Sequence, residues 1–433
     1  MSERTVEPAT PEDMIDASTV EPASARRQRL TTGVLIGLVA VLLLYLFSRT
    51  DGTAKFALSN AFDLVQLPTL EVPGRGTVVA CIVVSVLAAV AFLSGRVRGR
   101  WVALAGTLGA LAFVIGFLAW AAAGRDLPFP VSNQLAGTLA VATPLVFGAL
   151  AGVLCERAGV INVAIEGQFL TAAFAAAVVG SITQSVGWAM LAAIIAGVAM
   201  AALLALFAIN YVVNQVVLGV VINLLATGLT GFLYDQLVQP NSAVLNSAPV
   251  LQPIPIPGLS KLPLLGPVFF NQNILAYLAG LCVLIVWLAL FKTRWGLRVR
   301  AVGEHPEAAD TVGISVLAMR WSAVLAGGLF AGLGGAFFTI SATGAFAKEI
   351  TVGNGFIALA AVIMGRWHPV WAALMALLFG FVTQMSSVLQ SLGTPVPSQF
   401  LLILPYVATV IAVAGLIGRV RPPAADGQPF EKA

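Results

Sequence analysis

Residues 167 to 234 contain no Asp, Glu, Lys or Arg, an uncharged interval bounded by Glu166 and Asp235. A soluble fold needs charged residues to build its surface, so an interval of this length has to lie in lipid or inside a membrane protein. At ~20 residues per crossing it accommodates about three transmembrane helices. The rest of the 433-residue chain agrees: 59% hydrophobic and 10% charged residues exclude a disordered chain and an ordinary soluble domain. The net charge of +4 does not mark a nucleic-acid surface, because the basic residues sit in short clusters between apolar runs, where they report topology.

Apolar runs long enough to cross a bilayer recur near 30–47, 77–95, 101–122, 134–154, 160–180, 185–207, 212–233, 272–291, 320–341, 351–365, 369–390 and 400–418. The fold class expected is therefore all-α: a polytopic transmembrane helical bundle of about twelve spans, with a range of 10–12. The run 351–365 is short, and is read as tilted, re-entrant or fused to its neighbour. The alternating ten-residue strands of a barrel are missing, so helices must satisfy the backbone. Alternating twelve spans from a cytoplasmic N-terminus puts 17 of the 23 Lys and Arg inside, which supports an even count and cytoplasmic termini. The chain divides into a disordered cytoplasmic tail (1–29), a three-span segment (30–126), a core (127–418) and a second cytoplasmic tail (419–433). The first run lacks a small-residue cleavage site before Arg49 and reads as an anchor, not a signal peptide.

Two connections are long. Residues 234–271 carry seven prolines and almost no charge, and are expected as a structured external cap. Residues 292–319 are cytoplasmic and polar, with a short helix expected after Pro306. Gly148 with Gly152, and Gly328 with Gly332 beside Gly334 and Gly335, are spaced for close helix contact. Cys81, Cys155 and Cys282 lie singly in apolar runs and read as buried small hydrophobes.

No Gly-Lys dipeptide occurs, so a lysine-bearing phosphate loop is missing; HExxH is missing too, and neither His305 nor His368 has a metal partner at motif spacing. No catalytic residue, metal site or cofactor is expected. The spans instead carry uncharged polar groups: Asn133, Gln134, Asn162, Gln168, Asn210, Asn214, Gln215, Asn223 and Gln384. Asn210 and Asn214 would share one face of a continuous helix. Amides bond to neutral hydroxylated or heterocyclic solutes without the desolvation cost of a charge. Asn133, Asn162, Gln168, Asn214, Asn223 and Gln384 are thus candidates for a solute pathway, with interhelical hydrogen bonding as the alternative. Glu166 is either a helix-terminal contact, paired with Arg157 through chain folding, or a proton relay.

The run Glu156-Arg-Ala-Gly-Val-Ile-Asn-Val-Ala-Ile-Glu-Gly167 resembles the permease family of bacterial ABC importers for simple sugars and nucleosides, most closely its nucleoside or guanosine branch. A second likeness runs from Arg300 through Ala309 to Gly313 and Ile314, and a third joins Gly353, Gly355, Phe356, Ala358, Ala360, Gly365 and Arg366. In order, these extend the resemblance over roughly 127–418. The resemblance implies that the chain forms a solute pathway while a partner ATPase hydrolyses ATP. It makes 300–314 a coupling element for that ATPase, with Arg300, Gly303, Glu307, Ala308, Ala309 and Gly313 as its residues. It implies a second, unequal permease subunit and an external substrate-binding lipoprotein or periplasmic protein, in a bacterial inner membrane. A secondary transporter of small polar solutes and a non-transporting scaffold subunit are the competing readings; a carrier would need buried ionisable groups beyond Glu166.

Overall fold

The computed structural model describes residues 23–60, 63, 65–95, 97, 100–394, 400, 403 and 421–431. Among these, ten helices are long and apolar enough to cross a membrane. They are Ala23–Phe47 (α1), Gly74–Ser94 (α2), Arg100–Ala122 (α3), Val131–Arg157 (α4), Ile165–Thr183 (α5), Val186–Ala205 (α6), Gln215–Leu233 (α7), Ile274–Lys292 (α8), Val316–Ala336 (α11) and Pro369–Ser391 (α13). Between α8 and α11 lie two short helices, Arg294–Glu304 (α9) and Pro306–Thr311 (α10); Asn354–Met364 (α12) precedes α13. The chain is thus a multi-pass helical bundle. Expected tail residues 1–22 and, apart from Phe400 and Ile403, the expected span 400–418 lie outside the described residues.

The chain forms two compact units. The first contains α1, α2 and α3, which pack through small residues: Gly109 faces Ala88 and Ile36, and Gly116 faces Cys81 and Leu43. Helix α1 starts at Ala23, seven residues before the expected run. Arginine is a good helix former, and Arg29 Nη1 donates to the Phe92 carbonyl (2.5 Å), so the polar extension stays helical.

In the second unit α4 and α11 are central, 83% of the most apolar stretch of each span being buried against 33% for α7. The expected glycine contacts form. Gly148 and Gly152 on α4 receive Ala358 and Val362 of α12, and a Cβ on Gly197 of α6 would lie 2.6 Å from the Gly332 nitrogen of α11. Without a water-driven force between helices, such backbone approach supplies the dispersion that holds them. Helices α6, α7 and α11 each run on into a π-helical turn, at Leu206–Asn210, Tyr234–Val238 and Phe337–Thr343.

The proline-rich connection is ordered, as its composition suggested. The two-residue strands Ile254–Pro255 and Asn271–Gln272 pair antiparallel. Asn246 clamps Phe346 through both its amide nitrogen (3.0 Å to the carbonyl) and its amide oxygen (2.6 Å from the Phe346 N–H), and the Leu251 N–H donates to the Ile340 carbonyl (2.7 Å). These bonds satisfy backbone groups that seven prolines leave out of regular structure.

Two expected spans are interrupted. Helix α5 begins at Ile165 and not near 160, and α12 has 11 residues, ~16 Å of helix against a ~30 Å hydrocarbon core.

Candidate functional site

The two interrupted spans meet inside the bundle. Ile165, the first residue of α5, packs against Gly148 and Gly152 of α4, which lie five to nine residues, ~8–14 Å, before the end of that helix at Arg157. Residues 158–164 therefore turn back into the bundle before helix resumes. Helix α12 runs parallel to α4, since Ala358 meets Gly148 and Val362 meets Gly152, and its start at Gly353–Gly355 lies against Glu166. The backbone flanking α12 is strained: Val352 and Glu349 have positive φ on one side (46° and 55°), Arg366 and Trp367 on the other (54° and 53°). Non-helical backbone at membrane depth survives only where protein buries it or it lines a cavity, and broken helices mark binding sites in transporters.

Glu166 joins the two breaks. Its Oε1 accepts from the Thr351 hydroxyl (2.6 Å) and the Gly353 N–H (2.8 Å), and its Oε2 from the Gly355 N–H (2.6 Å). A carboxylate at the first turn of a helix satisfies orphan N–H groups and complements the helix dipole. The expected pairing of Glu166 with Arg157 does not form: Arg157 donates instead to the carbonyls of Trp367 (2.8 Å) and Arg366 (3.4 Å), because the turn at 158–164 carries Glu166 away from it.

Three of the six pathway candidates gather at this junction. Asn162 and Gln168 are fully buried and exchange amide hydrogen bonds (3.3 and 3.4 Å). Asn223 accepts from the Gly167 N–H (2.8 Å) and donates to the Val163 carbonyl (3.0 Å), holding both sides of the break. Asn214 lies apart, as the N-cap of α7, accepting from the N–H groups of Val216 and Val217 (3.1 Å each). Asn210 does not share its helix face, because the helix ends between them; the Asn210 oxygen accepts from Trp321 Nε1 (2.9 Å). Asn133 is exposed one turn before Gly137 on α4, and the Gln384 side chain of α13 packs on Gly137.

At the Arg157 end, α9 and α10 form a helical pair. The short helix expected after Pro306 is α10, with Pro306 in its first turn; α9 was not anticipated. Val302, Ala309 and Val316 pack together, leaving Glu307, Ala308 and Gly313 exposed. Gly303 is pressed onto the Arg157 carbonyl, where no Cβ fits. The Arg300 guanidinium lies over the Phe291 ring at 4.9 Å. Of the six coupling candidates, three are therefore presented to solvent and three fix the pair.

Several groups here escaped the sequence reading. Arg320, at the margin of the apolar run 320–341, is 1% exposed in the first turns of α11, and Glu156 is buried with its Oε2 bonded to Trp367 Nε1. Residues 421–431, expected as part of the second cytoplasmic tail, lie against both: the Ala425 N–H donates to the Gly303 carbonyl (2.9 Å) and the Gly427 N–H to the Gly159 carbonyl (3.3 Å). Burial pushes the Asp426 carboxyl up to about 7, against the pull of Arg320. The one available signal was Arg320 itself, a charge at the margin of an apolar run.

A cavity of about 370 Å³ opens between α4, α8 and α13, lined by Leu139, Thr143, Phe269, Gln272, Tyr277 and Leu377 among others. Its polar side chains are already bonded: Thr143 to the Leu139 carbonyl (2.8 Å), Gln272 to Val268 (2.8 Å), Tyr277 to Ile254 (3.1 Å). Such walls fit an apolar group better than a hydroxylated solute.

A junction of broken spans over a polar helical pair is transporter architecture, and comparison with known proteins agrees. Residues 134–416 match the family described as branched-chain amino acid transport system / permease component. The guanosine ABC transporter permease protein NupQ of Bacillus subtilis (strain 168) is 39% identical over 316 residues, covering 71% of this chain and 99% of NupQ. The nucleoside ABC transporter permease protein NupC of Lactococcus lactis subsp. cremoris (strain MG1363) is 37% identical over 308 residues, 69% of this chain and 96% of NupC. A putative glucose ABC transporter permease protein, TsgC13 of Haloferax volcanii, is 38% identical over 262 residues, 60% of this chain and 79% of TsgC13. No solved structure matches the chain. A multi-pass bundle with two interrupted spans, matched over two thirds of its length by proteins of one kind, belongs to this permease family and is a membrane-spanning permease component of an ABC transporter.

Proposed function

We propose that the chain forms the solute pathway of an ATP-driven importer for nucleosides, with simple sugars sharing the ribose-like hydroxyl pattern as weaker solutes. The observation that carries this is the match to NupQ and NupC over 99% and 96% of their lengths. The termini face the cytoplasm of a bacterial inner membrane, and the core is 127–418. A separate ATPase subunit docks on Glu307, Ala308 and Gly313, whose exposure among three buried anchors, Gly303, Ala309 and Val316, suits a knob that enters a groove. Arg300 steadies α9 by its stacking on Phe291. A second permease subunit closes the pathway, and an external binding protein delivers the solute at the cap side.

Of the six amides, Asn133 and Gln384 are the ones left with capacity to face a solute; Asn162, Gln168 and Asn223 hold the break before α5, and Asn214 caps α7. An amide that bonds the solute contributes about 1 kcal/mol, so Asn133→Ala and Gln384→Ala should each raise the half-saturating concentration by ~3–10-fold. Membrane vesicles carrying the chain with its partner subunits test the reading. Guanosine uptake should require ATP, and unlabelled nucleosides should compete better than glucose. Uptake without ATP would instead make the chain a secondary carrier, and no uptake with any solute a scaffold.

A further inference from the structure

Residues 421–431 read Arg-Pro-Pro-Ala-Ala-Asp-Gly-Gln-Pro-Phe-Glu, a composition expected of a solvated tail. They are instead built into the bundle. A tight turn forms as the Asp426 N–H donates to the Pro423 carbonyl (3.0 Å) and the Gln428 N–H to the Ala425 carbonyl (3.1 Å). On one side of this turn the segment holds α9: the Ala425 N–H bonds to Gly303, and the Ala424 N–H to Glu304 Oε2 (3.2 Å). On the other side it holds the break before α5. The Gly427 N–H bonds to Gly159, and a Cβ on Gly159 would lie 2.9 Å from the Ala425 oxygen. Gly427 has φ of +74° and lies against Ile161. Asp426 sits beside the buried Arg320 of α11, and Phe430 packs on the cluster of Val302, Ala309 and Val316 with Ile314 and Met319.

Four elements therefore converge on one short segment: α9, α10, the start of α11 and the turn that leads to Asn162 and Glu166. The glycines at 159, 303 and 427 let their backbones meet. We propose that residues 421–431 are a strap that locks the α9–α10 pair to the turn before α5, so that a displacement of the pair is passed to the broken spans, with Phe430 and Gly427 as positioning residues. The inference rests on the reading of α9–α10 as the ATPase docking element. Two arrangements of a packed interface transmit motion; a loose contact lets the pair rock without moving what lies behind it.

The test uses the complete complex in proteoliposomes, with guanosine uptake and ATP hydrolysis measured on the same preparation. In Phe430→Ala and Gly427→Val the ATPase subunit should still copurify and hydrolyse ATP, while guanosine moved per ATP falls about tenfold, a loss within the range of coupling energies. Phe430→Leu, which refills the cluster, should restore the ratio. Should Phe430→Ala not accumulate in membranes, the milder Phe430→Val carries the same comparison. An unchanged ratio in these variants overturns the strap. A wild-type complex with no ATPase attached and no ATP-dependent uptake overturns the docking reading instead, so the two failures are separate.

Discussion

At the residue scale, Glu166 is bonded as a helix-terminal contact, and a proton relay is the competing role that a substitution distinguishes. Its two oxygens accept three donors from residues 351–355, and each bond to a charged acceptor is worth ~1.5–3 kcal/mol where water is excluded. Glu166→Gln keeps part of this set and Glu166→Ala none. Thermal stability should thus fall in the order wild type, Gln, Ala, while the pH profile of uptake in the Gln variant stays that of the wild type. A profile that flattens in Glu166→Gln would reinstate the relay. Asp426 carries a pH dependence of its own. Its carboxyl is raised to about 7 by burial, facing Arg320 from α11 and Glu156 from α4, with Glu304 of α9 bonded to the neighbouring Ala424 N–H. The folded chain holds this proton more tightly than the unfolded chain, so the group contributes stability that is complete below about pH 4 and is lost as pH rises toward 7. Melting curves between pH 5 and 8 should show that decline in wild type and a smaller one in Asp426→Asn; equal slopes would contradict it.

At the element scale, the spans were legible because hydropathy and small-residue spacing are local properties. Gly148, Gly152, Gly328 and Gly332 all face a neighbouring helix, as their spacing suggested. The shortness of the 351–365 run was legible too, but the break before α5 was not. Val160 to Ile165 is as apolar as the helix that follows, so nothing in hydropathy separates the turn at 158–164 from α5. The same holds for Asn210 and Asn214, whose shared face needed a helix that stops between them. What decides these points is tertiary: Asn223 reaching across to Gly167 and Val163, and Trp321 to Asn210. The glycine contacts give a direct prediction. Gly332→Val places a branched side chain against the Ala193 carbonyl and should cost at least ~1–3 kcal/mol, read as a lower melting temperature and lower membrane abundance. Gly228, which has open space around it, should accept Val at no comparable cost.

At the scale of the whole molecule, the amide set illustrates the limit of reading residue types without distances. Sequence picks out the polar groups in apolar spans correctly, yet burial divides them into a buried pair, a bridge, a cap and two groups with spare bonding capacity. The 421–431 segment was invisible for the same reason, its partners being more than a hundred residues away. Docking of an ATPase on the α9–α10 pair requires that pair to lie on the cytoplasmic side of the membrane. Cys81, Cys155 and Cys282 are buried, so single cysteines placed at exposed Val312 and Leu259 would dominate labelling by a membrane-impermeant maleimide. In intact cells Leu259→Cys, in the cap, should label and Val312→Cys should stay unlabelled until the membrane is permeabilised. Labelling of Val312→Cys in intact cells would place the pair outside and contradict ATP-driven docking there.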